Sequence, residues 1–328
     1  MNTIKYIGLD AHSSTCSFCV VDPQGTEIDN KTIVTNGRLL IDYLQSLGGK
    51  QIIAFEECDL SCWLFDILHK HVHQVVVCNP TENTQYKRAK TDKLDARSLA
   101  NLLRGGFLKA VFHDASDREK FRLLVSNYQD TVQETVRIKN RLTTVKRRAK
   151  LFGNKDKLDH ASFIQEQYNL QLNFLDTSCG DYQQKIQQFV KKFKESRYLM
   201  SIPGIAFIQS AKIISQVVDP NRFSSKYKFF AYCGLVRHPR ISANRKYGSK
   251  RIWGNRTLKC VFKMAAHSAI NGRNSLRTLY ESLLQRGLSD ADARNAIARK
   301  IATLSLTLWK NKQYFNDRII LESLPVKA

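Results

Sequence analysis

Apolar positions along this chain change period twice, and each change marks a change of architecture. In the first third they cluster in short blocks: Tyr6 to Asp10, Cys16 to Val21 and Ile28 to Val34 read as three successive strands. Asp22-Pro23-Gln24-Gly25 supplies a turn between the second and third, so the three form a meander. Arg38 to Leu47 then takes a helical period, Gln51 to Phe55 is a buried-strand block, Trp63 to His71 is helical, and Gln74 to Cys78 is a second block. A helix from about Lys93 to Arg104 stops at Gly105-Gly106. Antiparallel strands followed by helices alternating with parallel strands predict an α/β domain over residues 1–112.

The middle of the chain has a longer period. Asp117 to Leu151 contains neither Pro nor Gly, and Phe121, Leu124, Tyr128, Thr135, Ile138, Leu142, Val145 and Ala149 recur about every 3.5 residues. That predicts a long helix, broken at Phe152-Gly153-Asn154. Tyr182, Ile186, Phe189 and Phe193 predict a return helix, so residues 113–197 read as a helical coiled-coil region, a hairpin or a coil between subunits. Residues 198–320 read as a mostly α-helical domain, with helices at Phe207 to Val217, Lys226 to Cys233, Thr257 to Ile270, Leu276 to Gln285 and Asp290 to Trp309. Its opening, Ser201-Ile202-Pro203-Gly204-Ile205, is similar to a helix-hairpin-helix start, where backbone N–H groups meet a nucleic-acid phosphate.

Composition narrows the class. The chain has 328 residues, enough for two or three domains, and 43% are hydrophobic without any apolar run near the ~20 residues that span a bilayer. No membrane partner is expected, and the first residues lack the layout of an export signal, so a cytoplasmic, nucleoid-associated protein is expected. Eight cysteines in that compartment read as free thiols. Cys16 with Cys19 and Cys58 with Cys62 were weighed as a zinc clasp, but the paired knuckle spacing is missing.

Charge sharpens this further. The net charge is +23; residues 1–112 carry 12 basic against 12 acidic side chains, whereas residues 113–328 carry 40 against 17. A neutral head and a basic body suit an enzyme acting on a polyanion, because phosphate neutralisation with counterion release drives such binding. Seven basic residues and no acid lie between Arg137 and Lys150, among them Arg137, Arg141, Arg147 and Arg148. Eight basic residues and no acid lie between Arg237 and Lys259, including Arg240, Arg245, Lys246, Lys250 and Arg251, interleaved with Tyr247 and Trp253. The latter stretch reads as a loop and as the best nucleic-acid contact in the chain.

The head supplies carboxylates in a telling order. Asp10 ends the first strand, Glu56 ends the Gln51 to Phe55 block, and Asp92 and Asp95 stand three apart, hence on one helix face. That order matches an RNase H-like domain, whose carboxylates hold two divalent metals for phosphoryl transfer. Each has a plain alternative: Asp92 is also a good N-cap, and Glu57 competes with Glu56, since strand alternation turns only one of them inward. The actin and sugar-kinase fold shares the strand order, but its Gly-rich phosphate loops are missing and the basic tail would have no role.

These segments resemble a known family. Tyr6-Ile7-Gly8-Leu9-Asp10, the strand into Glu56, Lys90-Thr91-Asp92-Lys93-Leu94-Asp95-Ala96-Arg97, Ser201 to Ile205, Phe229 to Leu235 and Gly254 to Lys259 resemble the Piv/MooV recombinases and the related DEDD transposases of the IS110 insertion-sequence family. The resemblance implies a RuvC-like domain whose tetrad Asp10, Glu56, Asp92 and Asp95 binds Mg2+, or Mn2+, joined by a coiled coil to a transposase domain with a nucleophilic serine. Counting from Gly234-Leu235, that serine falls on Ser242, with Ser249 as the fallback because the Gly/Ser-rich loop common in the family is replaced by Ile241-Ser242-Ala243-Asn244-Arg245. The implied activity is DNA cutting and rejoining through a phosphoserine link, in transposition or in site-specific inversion. The implied partners are double-stranded DNA, a structured guide RNA in some members, and further copies of the chain as dimer or tetramer, which would complete a composite site. The alternative is a RuvC-like resolvase or nuclease that hydrolyses DNA without a covalent intermediate; a catalytically silent nucleic-acid binder would leave the tetrad unexplained.

Overall fold

The computed structural model describes residues 3–80, 92–114, 116–152, 155–242, 245–251 and 254–321, and divides into two compact units, Met1–Lys120 and Phe121–Ala328. The first unit grows outward from a central strand. β1 (Ile4–Ala11) pairs antiparallel with β2 (Thr15–Val21), which pairs antiparallel with β3 (Glu27–Val34). On its other edge β1 pairs parallel with β4 (Lys50–Glu56), and β4 pairs parallel with β5 (Gln74–Cys78), giving the order β3-β2-β1-β4-β5. The helices between are α1 (Gly37–Leu47), α2 (Ser61–Leu68) and α3 (Asp92–Arg104).

Alternation along the strands divides the side chains between two faces. Ile7, Leu9, Phe18, Val20, Ile53 and Phe55 pack with Leu40 and Leu44 of α1 and with Leu64 and Leu68 of α2. Tyr6, Cys19 and Val21 face the other way and pack with Ala96 and Ala100 of α3. α3 lies unusually near its strand. A Cβ at Gly8 would come within 2.0 Å of the Ala96 carbonyl oxygen and 2.6 Å of the Ala100 nitrogen. Only glycine leaves room for backbone to rest on backbone. The cysteines of this sheet are core residues: burial, reinforced by the nearby Glu27 carboxylate, pushes the Cys19 thiol up to about 12, and burial also raises Cys16. A zinc clasp needs thiolates, and among the described residues no group of His, Cys, Asp or Glu gathers to hold an ion.

The second unit is mostly helical. α4 (Asp117–Phe152) and α5 (Lys155–Val190) form a hairpin, with Phe121, Val125 and Tyr128 against Ile186 and Val190, and Ile138 and Leu142 against Leu172. α5 begins well before the apolar repeat that announces it, because its first half carries two stripes. Tyr168, Leu172 and Leu175 face α4, while Phe163, Leu170 and Phe174 are exposed, and the two together mask a single period. Next come α6 (Glu195–Met200), α7 (Phe207–Val217), α8 (Lys226–Tyr232), β6 (Arg237–Ser242), β7 (Arg245–Arg251), α9 (Arg256–Asn271), α10 (Ser275–Gln285), α11 (Asp290–Asn311) and α12 (Arg318–Leu321). Ile213, Ile214, Phe229, Phe262, Ala265, Ile297, Ile301 and Ala302 form their shared core. Among the described residues no helix is long and apolar enough to cross a membrane.

The Arg237 to Lys259 stretch is not a loop but an antiparallel hairpin of β6 and β7 followed by the start of α9, within a domain that is otherwise mostly helical as expected. Its strands carry no apolar alternation, and Pro239 and Gly248 are residues that argue against strands. The ladder accommodates Pro239 at a register shift between Pro239 and Ile241.

Two glycine substitutions should move stability in opposite directions. Gly8→Ala should cost about 3 kcal/mol and lower the thermal midpoint of the first unit by roughly 10 °C. Gly180→Ala, inside α5 with nothing within 4 Å of the added Cβ, should stabilise by about 1 kcal/mol. Calorimetry on the two variants checks both signs.

Candidate active site

In the parallel pair β1 and β4, Gly8 stands beside Ala54 and Leu9 beside Phe55. One step further along both strands are Asp10 and Glu56. Alternation puts them on the face of Gly8 and Ala54, which α3 covers, and both are half-buried. α3 runs against β1. Arg104 Nη1 donates to the Pro23 carbonyl at 3.2 Å, in the β2–β3 turn, and Arg97 Nε lies 3.5 Å from Glu27 Oε2. The last turn of α3 is therefore at the far end of the sheet, and its first turn, with Asp92 and Asp95, points toward the end that carries Asp10 and Glu56.

Asp95 immediately precedes Ala96, the residue seated on Gly8, and is half-buried. Asp92 is the first residue of α3, and its side chain lies outside the described residues. Asp10, Glu56 and Asp95 thus share one face and one end of the sheet, without three described side chains converging into a single ion-holding group. Glu57 is engaged elsewhere: its N–H donates to the Cys78 carbonyl at 2.8 Å, and its Oε1 lies 3.7 Å from Nε2 of His113. His113 is itself buried beside the Phe65 ring, 5.7 Å between centroids.

Two neighbours of the carboxylates escaped the sequence reading. His12 Nε2 lies 3.3 Å from Asp10 Oδ2. Alternation gave no secure signal for it, since His12 lies one residue past the end of β1. His113 gave no such signal, because its partner Glu57 is far away in sequence.

The serines and all of the cationic candidates belong to the second unit. Ser242 ends β6, is exposed and pairs with Arg245, while Ser249 in β7 is exposed and pairs with Pro239. In the hairpin register Arg237 pairs with Arg251 and His238 with Lys250. Arg240 and Arg245 are exposed; of Lys246, Lys250 and Arg251 only the backbone is described.

What secures the hairpin is its base. A Cβ at Gly254 would lie 2.5 Å from the Gly234 nitrogen, so the two feet cross backbone to backbone. Asn255 N–H donates to the Tyr232 carbonyl at 2.7 Å, the Asn255 side chain donates to Gln216 Oε1 at 2.7 Å, and Tyr232 OH donates to the Gln216 carbonyl at 3.0 Å. The Asn255 side-chain oxygen also caps α9 by accepting from Leu258 N–H.

On α4, Arg141, Arg147 and Arg148 are exposed, and Arg137 is exposed but paired with Glu134 one turn away. Such a surface pair contributes little and yields readily to a phosphate.

Comparison with known families matches both units. A family model of transposases of the IS110 DEDD type matches residues 7–148, and a model described as transposase of the IS116/IS110/IS902 family matches residues 196–281. No curated protein matches the chain.

Gly254→Ala should force the hairpin feet apart and destabilise the second unit by about 2 kcal/mol. Limited proteolysis should then cut within residues 237–251 faster than in the parent chain, at a temperature where α9 remains folded.

Proposed function

The chain belongs to the IS116/IS110/IS902 family of transposases, and on that footing we propose that it cuts and rejoins DNA with the carboxylates Asp10, Glu56, Asp92 and Asp95 and the nucleophile Ser242. The observation that carries this reading is the adjacency of Asp10 and Glu56 at the ends of parallel strands, on the face covered by α3, with the first turn of α3 at the same end. The order β3-β2-β1-β4-β5, with three antiparallel strands and two parallel additions, supports an RNase H-like, RuvC-like head. We assign catalysis to residues 1–112, a coiled-coil region to residues 113–197, and the serine and much of the DNA contact to residues 198–320.

The four carboxylates offer hard oxygen donors only, which fits Mg2+ or Mn2+. Magnesium there would withdraw charge from a phosphate and stabilise the leaving oxygen. Asp10 and Glu56 contribute from rigid strands, and Asp92 and Asp95 from the helix that Gly8 holds down. The engagement of Glu57 with His113 favours Glu56 as the inward carboxylate. Ser242 Oγ bonds to phosphorus as a P–O bond to deoxyribose breaks, so the phosphoserine ester keeps the energy needed for rejoining. Arg240 and Arg245, on either side of Ser242, hold the phosphate backbone, and Arg137, Arg141, Arg147, Arg148, Lys246, Lys250 and Arg251 extend that contact. Further copies of the chain and a structured guide RNA are the partners this reading admits, at the nucleoid.

The double variant Asp92→Ala with Asp95→Ala should lose strand exchange by at least about a hundredfold while duplex binding stays within about threefold. Ser242→Ala should abolish the covalent protein–DNA adduct seen on denaturing gels. An adduct that persists would move the role to Ser249, and free 5′-phosphate ends without any adduct would mean hydrolysis by water. Arg240→Ala with Arg245→Ala should weaken binding to all duplex sequences alike and reduce the slope of log Kobs against log salt by about two.

A further inference from the structure

We propose that His12 is a nitrogen ligand to the metal held by Asp10, and that it tilts the site toward Mn2+ over Mg2+; this rests on the carboxylate reading above. Asp10 lies near the end of β1 on the face covered by α3, and His12 is the first residue past that strand, in the turn to β2. The backbone of His12 is fastened on both sides. Its N–H donates to the Thr15 carbonyl at 2.9 Å, closing the β1–β2 turn, and its carbonyl accepts from Thr35 Oγ1 at 2.7 Å. The imidazole is therefore presented from a fixed stem, with Nε2 3.3 Å from Asp10 Oδ2.

That separation suits two donors on one ion. Ligands about 2.1 Å from a metal and at right angles to each other lie about 3.0 Å apart. A small adjustment of either side chain reaches it. The His12 side chain is 53% exposed and that of Asp10 22%, whereas that of His113 is only 2% exposed and engages Glu57. Magnesium takes oxygen ligands almost without exception, whereas manganese accepts imidazole readily. A histidine beside the first carboxylate thus gives Mn2+ one favourable contact that Mg2+ gains little from.

The test uses the full-length chain and Mn2+ itself, read by electron paramagnetic resonance and by the nitrogen modulation of its spin echo. Wild-type protein with Mn2+ bound should show 14N modulation from a directly coordinated imidazole, and 15N-histidine labelling should convert it without any substitution. His12→Ala should remove the modulation and weaken Mn2+ by roughly tenfold or more, with Mg2+ affinity changed by less than about threefold. His12→Gln, retaining a polar side chain of similar reach, controls for local disturbance and should likewise lack the modulation. If Mn2+ binds, binding is lost in Asp10→Asn, and the wild type shows no 14N modulation, His12 is only an ion-pair partner of Asp10 and the inference fails while the carboxylate reading stands. Modulation that survives in His12→Ala overturns it equally. Mn2+ binding unchanged in Asp10→Asn would overturn the carboxylate reading itself.

Discussion

Backbone resting on backbone at Gly8 is the constraint from which the head of this protein follows. Side chains normally hold a helix well clear of a sheet, and here one strand position has none. α3 can then settle over β1 with the small residues Ala96 and Ala100 at the point of contact. A shallow footing gives little hydrophobic stabilisation, and its value is positional. It sets the height of α3 over the sheet, while the Arg104 contact at the β2–β3 turn sets its direction. Together they bring a carboxylate-bearing helix start to the end of the sheet where β1 and β4 finish in acids.

The two units divide the electrostatic work. The first balances its charges and gathers acids at one end, and the second carries all of the excess positive charge. Keeping the two signs in different units leaves each with a field of its own, which mixing them in one domain would cancel.

Much of this was legible before any coordinates. Short apolar blocks bounded by turn residues made β1 to β5 readable, as periodic apolar stripes facing a core did α4 and α7 to α11. The hairpin β6–β7 was not, because no described side chain of its strands contributes to a buried cluster and nothing in the sequence had to alternate. The first half of α5 was hidden for the opposite reason, an excess of apolar residues on two stripes. At the site, Asp10, Glu56, Asp92 and Asp95 could be nominated from their order, but the distinction between Glu56 and Glu57 needed the contact with His113. The contact of His12 with Asp10 was hidden because His12 lies in the turn past β1, where alternation no longer fixes a side chain's face.

The hairpin clamped only at its feet has a consequence for how such a protein can change. Gly234, Gly254, Tyr232, Gln216 and Asn255 hold the base in a web that tolerates few replacements. Beyond them, Arg240, Ile241, Arg245 and Tyr247 are exposed and owe nothing to a packed interior. Residues there can be exchanged one after another without refolding the domain around them. The ribbon is in that sense an interchangeable tip on a fixed handle, free to drift in sequence while the fold behind it stays the same.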